Sequence, residues 1–189
     1  TLQAAYQVKD TLVSGSQNFV SVSEALLFVE YRFLLVGMLV VSGIASLLLV
    51  TVLRERYERS IESGAALPRW IAMGVSSAVA LQFVSFIGGV HDLATLKLVA
   101  GLILTTTLLG WLADRENASS TTPKWGAYNI SLFTGVVAWV PLVSALIGSA
   151  VGGAQSLPAY IYLLAATLLA GSIAFAFNQY LYIKRRSIE

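Results

Sequence analysis

Five uninterrupted apolar blocks dominate the chain, each long enough to cross a bilayer as a helix. They run over about 33–53, 70–90, 93–112, 128–147 and 161–182, the first with an apolar lead-in from Ala25. Spanning about 30 Å of hydrocarbon takes about 20 helical residues at about 1.5 Å each. In lipid every backbone N–H and C=O needs a partner within the protein, so only helices or a closed barrel can span. Barrel strands are shorter and alternate in polarity, and these blocks do neither. The sequence therefore predicts an all-α membrane protein, with a transmembrane bundle over 25–189 and a separate outer polar segment over 1–24. Composition agrees: 57% of the residues are hydrophobic and 12% are charged, about half the charged fraction of a soluble domain.

The basic residues divide unevenly between the two sides of five spans. Arg54, Arg56, Arg59, Arg69, Arg115, Lys124, Lys184, Arg185 and Arg186 fall on one side, against Lys9, Arg32 and Lys97 on the other. Positive charge marks the inner side. The N-terminal segment, the link at His91-Asp92 and the loop 148–158 are thus expected outside the cell membrane, and the C-terminus inside. The His91-Asp92 link is so short that spans two and three form an antiparallel hairpin.

Residues 1–24 differ in kind. Tyr6, Val8, Leu12 and then Phe19-Val20-Ser21-Val22 flank Ser14-Gly15-Ser16-Gln17-Asn18. That pattern reads as two short strands around a turn, a short β-hairpin, or else as a loose polar leader.

Several kinds of chemistry are excluded. There are no cysteines and one histidine, so thiolate sites, disulfides and multi-histidine metal centres cannot form. No Gly-x-Ser-x-Gly, His-Glu-x-x-His or P-loop pattern occurs, so no enzyme is expected. A net charge of +2 gives no reason to expect nucleic acid; the lipid bilayer is the evident partner, and a homodimer stays open. Lys97, a charge inside a span, lies near the outer end and reads as snorkelling to the interface. No carboxylate is expected deep in a span, which argues against a proton pump. Ser76, Ser77, Gln82, Ser85, Thr105, Thr106, Thr107, Ser144, Asn178 and Gln179 suit either hydrogen bonds between helices or a pocket lining. Pro141 frees a backbone carbonyl and bends span four beside Trp139.

Several stretches, in order, resemble the heliorhodopsin family. Arg56-Tyr57, eleven residues and then Arg69-Trp70 resembles its inner loop and third-helix start. Ile71 to Ser77 continues like its Arg-Trp-x-Glu-x-x-x-Ser-Ser pattern. Gly110-Trp111-Leu112, followed by acidic Asp114, is similar to the end of the fourth helix, and Gly135-Val136-Val137-Ala138-Trp139 to the fifth. Pro158 to Tyr162, through Gln179-Tyr180-Leu181-Tyr182, resembles the sixth. The likeness covers nearly all of residues 24–186 and has the orientation derived above from charge.

The resemblance implies a rhodopsin-like, retinal-binding photoreceptor or light-sensing protein without ion pumping. It implies that this chain is a fragment holding the second to sixth helices of a seven-helix bundle. It implies retinal contacts from Met73, Ser76 and Ser77 in span two, Thr106 and Gly110 in span three, Trp139 in span four and Phe175 in span five. Two departures stand out. The family's glutamate counterion falls on Ala72, and its retinal-linking lysine belongs to a seventh helix that residues 1–189 do not include. They keep a second reading open, a chromophore-free membrane subunit or small carrier on a related bundle.

Overall fold

The computed structural model describes residues 2–9, 19–27, 36–37, 40, 43–44, 47, 51, 54, 67–118, 120, 122–151 and 157–186, with the two strands described by their backbone. Strands β1 (Leu2–Lys9) and β2 (Phe19–Leu27) pair antiparallel, with Lys9 opposite Phe19 and a register irregularity at Leu2/Gln3. β1 runs beside the second of the four long helices found among the described residues. These helices are α1 (Leu67–Ile87), α2 (Leu93–Ala118), α3 (Gly126–Val151) and α4 (Ala159–Arg186). All four are long and apolar enough to cross a membrane. In the expected span 33–53, Val36, Gly37, Val40, Gly43, Ile44 and Leu47 are helical and exposed, and its other residues, Thr51 apart, lie outside the described ones.

The helix ends follow local chemistry rather than hydropathy. Apolar residues continue to Val90, yet α1 stops at Ile87 because Gly89 takes φ 106°, a conformation side chains with a Cβ rarely adopt. The Gly89 N–H donates to the Phe86 carbonyl at 3.2 Å, and the Val90 N–H to Ser85 at 2.9 Å. These two bonds form a Schellman cap. Two residues later Asp92 opens α2. Its carboxylate accepts from the Thr95 N–H at 2.8 Å and the Thr95 hydroxyl at 2.5 Å, satisfying a donor the first turn leaves free. These bonds, the side-chain hydroxyl first, hold the Asp92 pKa below its ordinary value.

Beyond its apolar block, α2 runs on through Asp114, Arg115, Glu116 and Asn117, none of which breaks a helix. The Asn117 side chain then donates to the Lys124 carbonyl at 3.0 Å and accepts from the Lys124 N–H at 2.8 Å. That brace closes the α2–α3 loop. α3 continues through Pro141. Both α3 and α4 exceed the expected spans at each end, since an apolar run measures hydrocarbon thickness while the helix extends into the interface.

Adjacent helices α1, α2 and α3 pack closely, while α4 makes fewer contacts. Gln82 Nε2 ties α1 to the Leu96 carbonyl at 3.0 Å, and Ser131 Oγ ties α3 to the Thr106 carbonyl at 2.8 Å. Two apolar cores result. One, toward the α1–α2 turn, joins Ala78, Leu81, Val84, Val99, Ile103, Ala138, Leu142 and Ala165. The other, toward the α2–α3 loop, joins Ala113, Ala127, Tyr128 and Ile183. Between them the bundle is hollow.

Candidate functional site

The hollow is a cavity of about 480 Å³ reached by all four helices. Each helix contributes one face, because residues three, four or seven apart line up. α1 supplies Trp70, Met73 and Ser77, and α2 supplies Ile103, Thr106, Thr107 and Gly110. α3 gives Tyr128, Ser131, Gly135 and Trp139, and α4 gives Leu168, Ser172, Phe175 and Gln179. A smaller cavity of about 270 Å³ shares Ser77, Ile103, Trp139, Leu168 and Ser172 with it and adds Ser76, Ala80 and Leu81. Together they run along α1 from Trp70 to Leu81, a rise of about 16 Å.

Of the residues implied to contact retinal, Met73, Ser77, Thr106, Gly110, Trp139 and Phe175 border the larger cavity and Ser76 the smaller. Ala72 and Lys97 border neither; Lys97 is exposed. At Gly110 the space is taken by protein. A Cβ there would stand 2.5 Å from Cζ3 of Trp70 and 2.6 Å from Cη2. The glycine makes room for the indole, and the indole forms the wall.

Trp70 is 2% exposed and held on three sides. Its ring meets Phe175 edge-on at 5.5 Å and lies against Gly110. Its Nε1 donates to Asp114 Oδ2 at 2.8 Å. The other Asp114 oxygen accepts from Gln179 Nε2. Arg69, itself half exposed, places its guanidinium 3.9 Å from the carboxylate and 5.8 Å from the Trp70 ring.

Asp114 stands two residues past the expected span 93–112, near the C-terminal end of α2, so no carboxylate lies deep in a span among the described residues, yet this one is buried. It is 4% exposed, because α2 outruns its apolar block and turns this residue toward protein rather than lipid. A charge can be buried there because hydrogen bonds and an opposite charge replace water. The sequence held a signal for it: Asp114 follows Gly110 by four residues, on the same helix face, and the buried Trp70 N–H needs an acceptor. Trp70 and Tyr128 also line the cavity without having been expected there, and Thr107, one of the candidate pocket hydroxyls, joins them.

The hydroxyls divide into two groups. Thr106 donates to its own helix at Leu102 and lies 3.0 Å from the Thr134 hydroxyl across to α3, while Thr105 and Thr107 bond only carbonyls of α2. Tyr128 crosses to α4, donating to the Ala176 carbonyl at 3.0 Å, and Trp125 stacks at a tilt on Tyr180 at 5.2 Å. α3 and α4 are thus joined near the α2–α3 loop. Farther along, their cavity-lining residues Val136 and Ile173 are 66% and 60% exposed, which leaves this side of the cavity turned outward.

The chemistry available is recognition of an apolar, elongated guest between aromatic walls, with hydroxyls along one side and a buried carboxylate behind one end. Among the described residues no cluster could hold a metal ion. No curated protein matches this chain. The heliorhodopsin family model matches residues 1–188, and the chain belongs to the heliorhodopsin family.

Proposed function

We propose that this chain forms the retinal-binding part of a light-sensing membrane protein that does not pump ions. The observation that carries the reading is the cavity between Trp70, Trp139 and Phe175. Its volume is in the range of small-molecule sites, and its lining is largely apolar with a few polar groups, as such sites are. The residues fit retinal: flat rings can lie along a polyene, and the room comes from Gly135 and Gly171 rather than from a collapsed core. When bound, retinal supplies light absorption and isomerisation. The chain's own residues hold and enclose it. Trp70 closes one end, Trp139 and Phe175 flank the length, and Thr106 and Ser77 offer hydroxyls. The outward side at Val136 and Ile173 faces lipid in a bilayer, so an apolar guest has a route that avoids water. The linking lysine, by family resemblance, belongs to a seventh helix.

Absence of pumping is supported by the polar inventory. A relay across a bilayer needs ionisable groups along its depth, and Asp114 is the one buried acid among the described residues. The charge asymmetry supports an N-terminal segment outside and a C-terminus inside.

The test is spectroscopic. Protein produced with its flanking coding sequence and supplied with all-trans retinal should show a visible or near-ultraviolet band that hydroxylamine bleaches. A retinal-fed protein that contains the seventh-helix lysine and shows no such band refutes the proposal. Ala72, which offers no anion and borders neither cavity, is the observation favouring the chromophore-free subunit or carrier, and that outcome would establish it.

A further inference from the structure

We propose that the end of the α3–α4 seam nearest the α2–α3 loop binds an anionic phospholipid, with Lys124 and Lys184 on the headgroup phosphate and one acyl chain lying in the seam. The inference goes beyond the retinal reading and does not depend on it. It starts from how the two helices meet. Among the described residues, α3 and α4 are joined by side chains more than by close approach of their backbones. Trp125 stacks on Tyr180 at 5.2 Å, and Tyr128 bonds the Ala176 carbonyl at 3.0 Å. Beyond these links, Val136 and Ile173 on the two rims of the seam are both more than half exposed.

The charges on these two helices have one sign and one place. Neither α3 nor α4 contains an acidic residue. Lys184 lies in the last turn of α4, with its ammonium 6.0 Å from the centre of the Tyr180 ring. It therefore stands on the face of α4 that meets Trp125. Lys124 is exposed and directly precedes Trp125 at the entry to α3. Its backbone is held by the two bonds to Asn117, which fix where the side chain starts. The Trp125–Tyr180 pair thus has a lysine on each of its two helices, at the same end of the seam.

The ligand class follows from this layout: negative at one end and apolar along the rest. Indole and phenol rings favour the boundary between headgroups and acyl chains, and lysines at that depth attract anionic lipid. From Tyr128 to Val136, α3 rises about 12 Å. One leaflet's hydrocarbon is about 15 Å deep, so a single acyl chain can follow the seam while its phosphate stays at the lysines. A soluble anion would use the lysines but leave Val136 and Ile173 uncovered. A zwitterionic lipid would cover the apolar rims, but its own cation offsets the phosphate. Each lysine near the surface is worth about fivefold in attraction, so the pair implies a preference for the anionic lipid of roughly ten- to twentyfold.

Phosphatidylglycerol and phosphatidylcholine with the same brominated chains are titrated into the delipidated, detergent-solubilised protein at low salt. Binding is read by quenching of tryptophan fluorescence, to which Trp125 contributes from within the seam. The parent should bind the phosphatidylglycerol roughly ten- to twentyfold more tightly. Lys124→Gln and Lys184→Gln should each lower that affinity about fivefold and together bring the two lipids to parity, while arginine at both positions keeps the preference. Ile173→Asn, which makes one rim polar, should weaken both lipids in parallel and leave their ratio unchanged. Arg115→Gln, which removes a cation held over Trp111 on α2, should change neither affinity. Equal affinities in the parent overturn the proposal without any variant. So does a preference that survives the double lysine substitution, or an Arg115→Gln loss as large as that of either lysine, which would mean diffuse surface charge. Unchanged binding in Ile173→Asn would remove the acyl chain from the seam. Displacement of bound phosphatidylglycerol by glycerol 1-phosphate as effectively as by the intact lipid would leave an anion site and refute the lipid.

Discussion

Placing one methyl group at Gly110 tests the cavity wall directly. In an exposed helix, alanine in place of glycine stabilises by about 1 kcal/mol. Here the new Cβ would stand 2.5 Å from Cζ3 of Trp70 and 2.6 Å from Cη2, closer than real side chains approach. The indole cannot simply swing away, because its Nε1 is bonded to Asp114 at 2.8 Å and its ring packs at right angles to Phe175. Overpacking of this kind costs about 1–3 kcal/mol, and losing the bond to the carboxylate adds roughly 1.5–3 kcal/mol. The clash outweighs the helix gain. Gly110→Ala should therefore destabilise by about 1–3 kcal/mol, and by more if the indole lets go of Asp114. Equilibrium unfolding in mixed micelles gives the number, and a double-mutant cycle gives its cause. In a Trp70→Phe background, whose smaller ring lacks the clashing atoms, the same substitution should become neutral or stabilising. Gly110→Ala proteins at least as stable as their parents in both backgrounds would refute the placement of Trp70 over Gly110.

Asp92→Ala should cost about 1 kcal/mol as a lost helix cap. Because hydrogen bonds lower the Asp92 pKa on folding, the cap's contribution is present above the ordinary carboxylate pKa and is lost as pH falls through the lowered one. A parent and variant whose stabilities stay equally far apart in strong acid would contradict this. Single cysteines at Thr122 and His91 should react with membrane-impermeant reagents from opposite sides, Thr122 from inside and His91 from outside; reversed labelling would overturn the orientation. Replacing Ala72 with Glu in the full-length, retinal-loaded protein should raise the pH midpoint of the visible band by about one unit, since even a third of the roughly 4 kcal/mol between charges about 4 Å apart suffices. Identical titrations would mean that position 72 does not face the chromophore.

Much of the architecture was legible in the chain because lipid leaves few choices. Long apolar runs must become helices, and the short His91-Asp92 link between two such runs forces a tight turn. The helix ends were less legible, since Asp114 to Asn117 look like the start of a loop by hydropathy yet are compatible with helix. The positions that border the cavities were named through the family resemblance, with residues such as Thr106 and Gly110 four apart along a face. The roles at those positions were not. Gly110 was implied only as a retinal contact, but its missing side chain makes room for Trp70. Asp114 read as an end marker, but it is a buried carboxyl group that holds Trp70.

The sequence by itself determined what is one-dimensional: which segments are helical, which side of the membrane the charges favour, and which chemistries the residue inventory forbids. Each of these depends on a residue and its near neighbours in a solvent of known polarity. Only the tertiary structure decided what lies between helices. Trp70 and Asp114 are 44 residues apart, and Asp114 and Gln179 are 65 apart. Their meeting depends on how three helices rotate against one another, and no local pattern encodes that rotation. The hollow between the two apolar cores has the same origin, because a void is a property of surfaces brought face to face.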